Sequence, residues 1–72
     1  MAARRERMVE DLVAHRLGLG LSQTEVAARM GTSQSAVARL ESGEADVRLS
    51  TLERYAAALG RVLDVRLEGP KR

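Results

Sequence analysis

Apolar residues recur at helical spacing in the first segment of the chain. Met8, Val9, Leu12, Val13 and Leu17 line one stripe, which predicts an amphipathic helix over about residues 3–17. Arg4, Arg5, Glu6, Arg7, Glu10 and Asp11 fall on the other side, as a solvated face where Glu and Arg can pair. Gly18-Leu19-Gly20 ends the pattern, glycine being free to adopt left-handed backbone angles.

The next turn carries a capping signal. In Ser22-Gln23-Thr24-Glu25 the serine hydroxyl can accept from the Glu25 backbone N–H while the glutamate reaches back to that of Ser22. Leu21 and Val26 have the spacing of a hydrophobic staple. A short helix over about residues 23–30 follows, burying Val26, Ala27 and Met30 and ending at Gly31. Thr32 or Ser33 caps the next helix, which runs to about Ser42. Its expected inner face is Ala36, Val37 and Leu40, and its outer face is Ser33, Gln34, Ser35, Ala38 and Arg39. Glu44 to Leu49 read as a loop. Ser50-Thr51-Leu52-Glu53 repeats the capping pattern, and Leu52, Tyr55, Ala56 and Leu59 make the stripe of a further helix that stops at Gly60. The period then changes. Leu63, Val65 and Leu67 alternate with Asp64, Arg66 and Glu68, as in a half-buried strand. Tyr55 is expected in the core with its hydroxyl at the rim.

Composition narrows the chemistry. Seventy-two residues make one domain with a thin margin of stability. There is no cysteine, Trp or Phe, and a single His and a single Tyr. Thiolate metal sites, disulfides and a thiol nucleophile are therefore excluded, and His15 lacks a second ligand nearby. No serine has a base placed by spacing, so an enzyme fails on residue supply, and no cofactor or metal is expected. With 44% apolar and 31% charged residues the balance is that of a folded soluble domain. No apolar run approaches membrane-spanning length and no signal peptide is seen, so a cytoplasmic location is the expectation. The net charge of +2 is too small to name a partner, and each side of Ser42 carries 6 basic and 5 acidic residues. All the basic residues but Lys71 are Arg, which fits phosphate and base-edge binding but also follows from a GC-rich genome.

The informative unit is the helix pair joined at Met30-Gly31-Thr32. Small Ala27-Ala28 lie where two helices approach closely, and the second helix is apolar only on its inner side. That is helix-turn-helix geometry, in which the second helix enters the major groove. The outward residues are short and polar, with an Arg one turn later. Gln can bond adenine bidentately, Arg guanine, and Ser either kind of edge. No acidic residue stands at Gln34, Ser35 or Arg39 to repel phosphates.

Gly20-Leu21-Ser22-Gln23-Thr24-Glu25-Val26-Ala27 and Gly31-Thr32-Ser33-Gln34-Ser35-Ala36-Val37-Ala38-Arg39-Leu40-Glu41-Ser42-Gly43 resemble the phage repressor/Cro (XRE) helix-turn-helix family. Leu49 to Gly60 resembles its next helix, so the likeness covers residues 16–60. It implies an all-α, lambda-repressor-like bundle of four to five helices, here followed by a short C-terminal β-strand. Residues 1–60 would be the DNA-binding domain, and 61–72 the strand and tail. By the same resemblance Ser33, Gln34, Ser35 and Arg39 match base-contacting positions, and Ser22, Gln23 and Ser42 phosphate-contacting ones. Arg16 and Glu41 match a scaffold salt bridge between the first helix and the recognition helix. Ser35 and Ala38 are shorter than is common there, and Glu44 and Asp46 stand where a basic residue would help.

The implied partner is double-stranded DNA on the nucleoid, read as an inverted repeat by a homodimer acting as a transcriptional repressor or autoregulator. The C-terminal strand is the expected dimer element. Were Val65 on a two-fold axis, Asp64 would face Arg66 of the other chain and Leu63 would face Leu67. The other readings are that the strand folds back along its own domain or continues into a longer chain. The STLERYAAALG helix with a trailing strand further resembles HigA-type antitoxins, which bind a toxin nuclease and repress their own operon. The alternative function is therefore a protein-interaction module that neutralises a toxin, with DNA binding secondary.

Overall fold

Among the described residues the apolar stripes condense into four helices, α1 (Ala2–Gly18), α2 (Gln23–Met30), α3 (Gln34–Ser42) and α4 (Leu49–Ala58). The structure is a computed structural model, and it describes residues 2–43 and 46–64. α1 packs on α3 and α4, and α2 on the same two helices, so α3 and α4 are each held from two sides. Val9 and Leu12 of α1, Val26, Ala27 and Met30 of α2, Val37 and Leu40 of α3, and Leu52, Tyr55, Ala56 and Leu59 around α4 form one core. Tyr55, Leu52, Val26 and Val37 are fully buried, each contributing about 1.5–3 kcal/mol over an exposed position.

Leu17 departs from its expected stripe and is 63% exposed. The buried line of α1 runs Val9, Leu12, Arg16, so the last inward position goes to an arginine and Leu17 is left outside it. α2 starts as its sequence requires: Glu25 N donates to Ser22 Oγ at 3.0 Å and Ser22 N to the Glu25 carboxylate at 2.9 Å. The second capping pattern does not form. α4 begins at Leu49 with Arg48 as N-cap and no side-chain cap hydrogen bond. A cap at Ser50 would require extended backbone there and unwind Leu49, a good helix former, from the first turn.

α2 and α4 are also tied at their ends. Arg29 donates to the carbonyl of Ala58 at 2.9 Å, and Arg54 to the carbonyl of Met30. Each cation thus meets the last carbonyl of the other's helix, where the helix dipole is negative. Beyond α4, residues 61–64 form neither helix nor strand. Leu63 instead lies half-buried against the core, and Asp64 is exposed. The expected strand is thus not present at Leu63 and Asp64, because a strand needs a ladder partner and the described residues provide none there. Val65, Arg66 and Leu67 lie outside the described residues. No described helix is long and apolar enough to cross a membrane.

Candidate nucleic-acid interface

The turn between α2 and α3 is set by Gly31, whose φ of 71° lies in the left-handed region. Its N–H reaches back to Ala27 and Ala28, and Thr32 N donates to the Ala27 carbonyl at 2.9 Å. The chain then turns sharply enough for Ser33 to cap α3, with Ala36 N donating to Ser33 Oγ at 3.1 Å.

α3 buries Val37 and Leu40, with Ala38 and Glu41 half-buried beside them. Ser33, Gln34, Ser35, Ala36, Arg39 and Ser42 are exposed. The two alanines therefore exchange the faces expected for them: Ala36 points out and Ala38 in. An alanine methyl carries little patterning signal, and the inward pull on Glu41 rotates the buried face toward Val37, Ala38 and Glu41. The exposed face of α3 consequently bears Gln34, Ser35 and Arg39 and no carboxylate.

Glu41 is the one acidic residue of α3, and its side chain is only 8% exposed. Arg16 of α1 grips it with two bonds, Nε to Oε2 at 2.7 Å and Nη2 to Oε1 at 3.1 Å, and spends Nη1 on the Leu21 carbonyl at 2.8 Å. Tyr55 of α4, fully buried, donates its hydroxyl to Oε2, and Gln23 of α2 donates Nε2 to Oε1 at 2.9 Å. Gln34 at the start of α3 then donates Nε2 to Gln23 Oε1 at 2.6 Å. All four helices meet on this carboxylate. No buried side-chain polar atom among the described residues lacks a partner.

The charges respond to that enclosure. Burial alone would raise the Glu41 carboxyl, but the hydrogen bonds from Arg16, Tyr55 and Gln23 outweigh it and hold it below the ordinary range. The bond to Glu41 raises Arg16 further. Burial, then the bond to the Glu41 carboxylate, pushes the Tyr55 phenol upward. The exposed Glu25 is lowered by the backbone and hydroxyl of Ser22 within the capping box.

The structure brings Gln34, Ser35 and Arg39 onto one exposed surface and joins Arg16 to Glu41 as the resemblance implied. Ser22 and Ser33 are exposed, but their hydroxyls serve as helix caps. Ser42 is exposed and donates to the Arg39 carbonyl at 2.7 Å. Gln23 is half-buried, with both ends of its amide engaged, and so belongs to the scaffold as well as to the surface. Tyr55 corrects its expectation, its hydroxyl being inside the fold rather than at the rim. Sequence reasoning missed the amide-to-amide bond between Gln23 and Gln34 and the part Tyr55 plays behind it. Among the described residues no group of His, Asp and Glu could hold a metal ion.

A family model described as helix-turn-helix matches residues 12–65. The chain is similar to the antitoxin HigA1 of two Mycobacterium tuberculosis strains, at 48% identity over 64 residues, covering 89% of this chain and 43% of each relative. It is also similar to an uncharacterised HTH-type transcriptional regulator of Haemophilus influenzae, at 33% identity over 61 residues, covering 85% of this chain and 62% of the relative. The chain thus spans less than two thirds of these relatives. No solved structure matches it significantly. The two capped helices about Gly31, the inward ion pair and the extent of the family match together place the chain in the XRE-type helix-turn-helix family.

Proposed function

We propose that this chain is a sequence-specific DNA-binding transcriptional regulator, acting as a repressor or autoregulator on the nucleoid in the cytoplasm. The observation that carries the reading is the exposed face of α3. Its outward polar side chains are Gln34, Ser35, Arg39 and the serines beside them, and its one carboxylate is turned inward onto Arg16. Such a face can approach phosphates without repulsion and offer bidentate donors and acceptors to base edges. Gln34 and Arg39 are the principal base contacts. Ser33 and Ser35 add shorter hydroxyl contacts. Ser22, Gln23 and Ser42 flank them at the phosphates.

One α3 reads one half-site. Assembly as a dimer through residues 63–67 would set two such helices about one DNA turn, ~34 Å, apart on an inverted repeat. A selection of bound duplexes from a random pool at near-physiological salt tests the reading. An enriched inverted repeat is the expected outcome, and binding without enrichment contradicts it.

A second reading is favoured by the names of the HigA1 relatives, which are antitoxins. On that reading the same fold also holds a toxin protein. Co-purification with a toxin protein, followed by loss of that protein's toxicity, is the expected result. Both readings are of binding, with no catalytic step.

A further inference from the structure

A carboxylate has no proton to give, so every group around Glu41 must be a donor to it. Its acceptor positions are filled: Arg16 Nε and Tyr55 Oη on Oε2, Arg16 Nη2 and Gln23 Nε2 on Oε1. That settles which way round the Gln23 amide lies, a choice that otherwise depends wholly on the surrounding network. Its NH2 faces Glu41, so its carbonyl faces Gln34. The Gln23 carbonyl in turn needs a donor, and Gln34 supplies its own NH2 at 2.6 Å. Gln34 is left presenting outward its carbonyl oxygen and one remaining N–H.

The major-groove edge of adenine offers the N7 acceptor beside the N6 donor, whereas guanine offers two acceptors. A Gln34 amide locked in this sense matches adenine and has one free proton for guanine's two acceptors. The far end of the relay is the Tyr55 hydroxyl, fully buried and the one donor α4 sends to the carboxylate.

We propose that Tyr55 is a positioning residue for base reading: its hydroxyl occupies Glu41 Oε2 and so keeps Gln23, and through it the Gln34 amide, held in the sense that meets the base edge. The proposal rests on the DNA-reading function above. Without the hydroxyl, Oε2 keeps only the Arg16 bond and holds an empty buried lone pair. Gln23 or a water can then turn toward it, and the link to Gln34 loosens.

Tyr55→Phe removes the hydroxyl and keeps the ring. In the DNA-free chain, amide NMR reads Gln34 directly. Its two side-chain protons are expected to be well separated and slowly exchanging in the natural protein, and to move toward free-glutamine behaviour in the variant. On the selected duplex, changing the base pair under Gln34 from A·T to G·C reads its specificity. The natural preference for A·T is expected to fall by about fivefold or more in Tyr55→Phe, and Tyr55→Phe is expected to cause no further fall in a Gln34→Ala background. A Gln34 amide unchanged in Tyr55→Phe overturns the proposal. So does a uniform weakening on all duplexes that adds fully to Gln34→Ala.

The chain has a single tyrosine, so biosynthetic 3-fluorotyrosine alters this hydroxyl alone and serves if the Phe variant does not fold. A displaced Gln34 amide signal then supports the proposal, and an unmoved one overturns it. A natural protein with no base preference on any duplex defeats the DNA-reading function instead. The amide signals of the free chain, which do not depend on DNA, keep the two failures apart.

Discussion

Taking away one member of a buried ion pair strands the charge of the other, so Glu41 and Arg16 depend on each other. Glu41→Gln leaves the Arg16 guanidinium buried without a counter-charge and is expected to cost about 3 kcal/mol or more, most of what a chain this short has to lose. The pH dependence has a definite sign. A carboxyl held below its ordinary 4.5 contributes stability that is present above that value and lost as pH falls through the folded one. The raised Tyr55 phenol contributes stability present below its ordinary 10.0 and lost as pH climbs beyond it. Urea midpoints followed from neutral pH down through 4.5 should fall for the natural protein and flatten for Glu41→Gln. A Glu41→Gln variant as stable as the natural protein at neutral pH contradicts the account. Much of this was legible residue by residue, since Arg16 and Glu41 match a known scaffold pair. The Gln23–Gln34 bond was not, because two amides eleven residues apart meet only once the turn at Gly31 has formed. Tyr55 was misplaced at the rim because a tyrosine hydroxyl most simply finds water, and no pattern marked Glu41 as its partner.

Among the elements, local chemistry succeeded where it agreed with tertiary packing. Ser22 and Glu25 form the capping box their spacing predicts, and α2 begins there. The identical pattern at Ser50 and Glu53 was outweighed by Leu49 joining the helix. Ser22→Ala is therefore expected to lower stability by about 1 kcal/mol, and Ser50→Ala by much less. Thermal melts of the two variants side by side check this. Equal losses would mean that a cap at Ser50 exists after all. The α2–α3 boundary was legible because Gly31 and Ser33 each have one structural use there. The faces of α3 were legible at Val37 and Leu40 but not at Ala36 and Ala38, whose small side chains leave the inward position to be decided by Glu41.

At the scale of the molecule, the four described helices share a core of aliphatic residues and one tyrosine, with a polar cluster at their meeting point. Most of the core came through from the periodicity, and the fold class from the family resemblance. The C-terminal alternation did not yield a strand at Leu63 and Asp64, since pairing is a property of two segments and the described residues offer no second one. Dimer formation through residues 63–67 makes its own prediction. Val65→Asp would set two carboxylates against each other across the axis. Sedimentation should then show the mass of one chain, where the natural protein is expected to show two, with the helical circular dichroism retained. An unchanged dimer in the variant places the interface elsewhere. The chain spans less than half the length of the HigA1 antitoxins, so assembly and toxin binding are to be tested on this domain directly.

If the outward face of α3 reads bases, its two long polar side chains, Gln34 and Arg39, carry the preference for sequence. The most direct measurement is the affinity of the natural chain and of a Gln34→Ala/Arg39→Ala variant for the selected duplex and for a scrambled one, across a salt series. The variant is expected to keep its fold but to lose most of the preference for the selected duplex, about tenfold or more. Its weak, salt-sensitive binding to the scrambled duplex should largely persist. A variant that discriminates between the two duplexes as well as the natural protein does would mean that α3 does not read bases through these side chains.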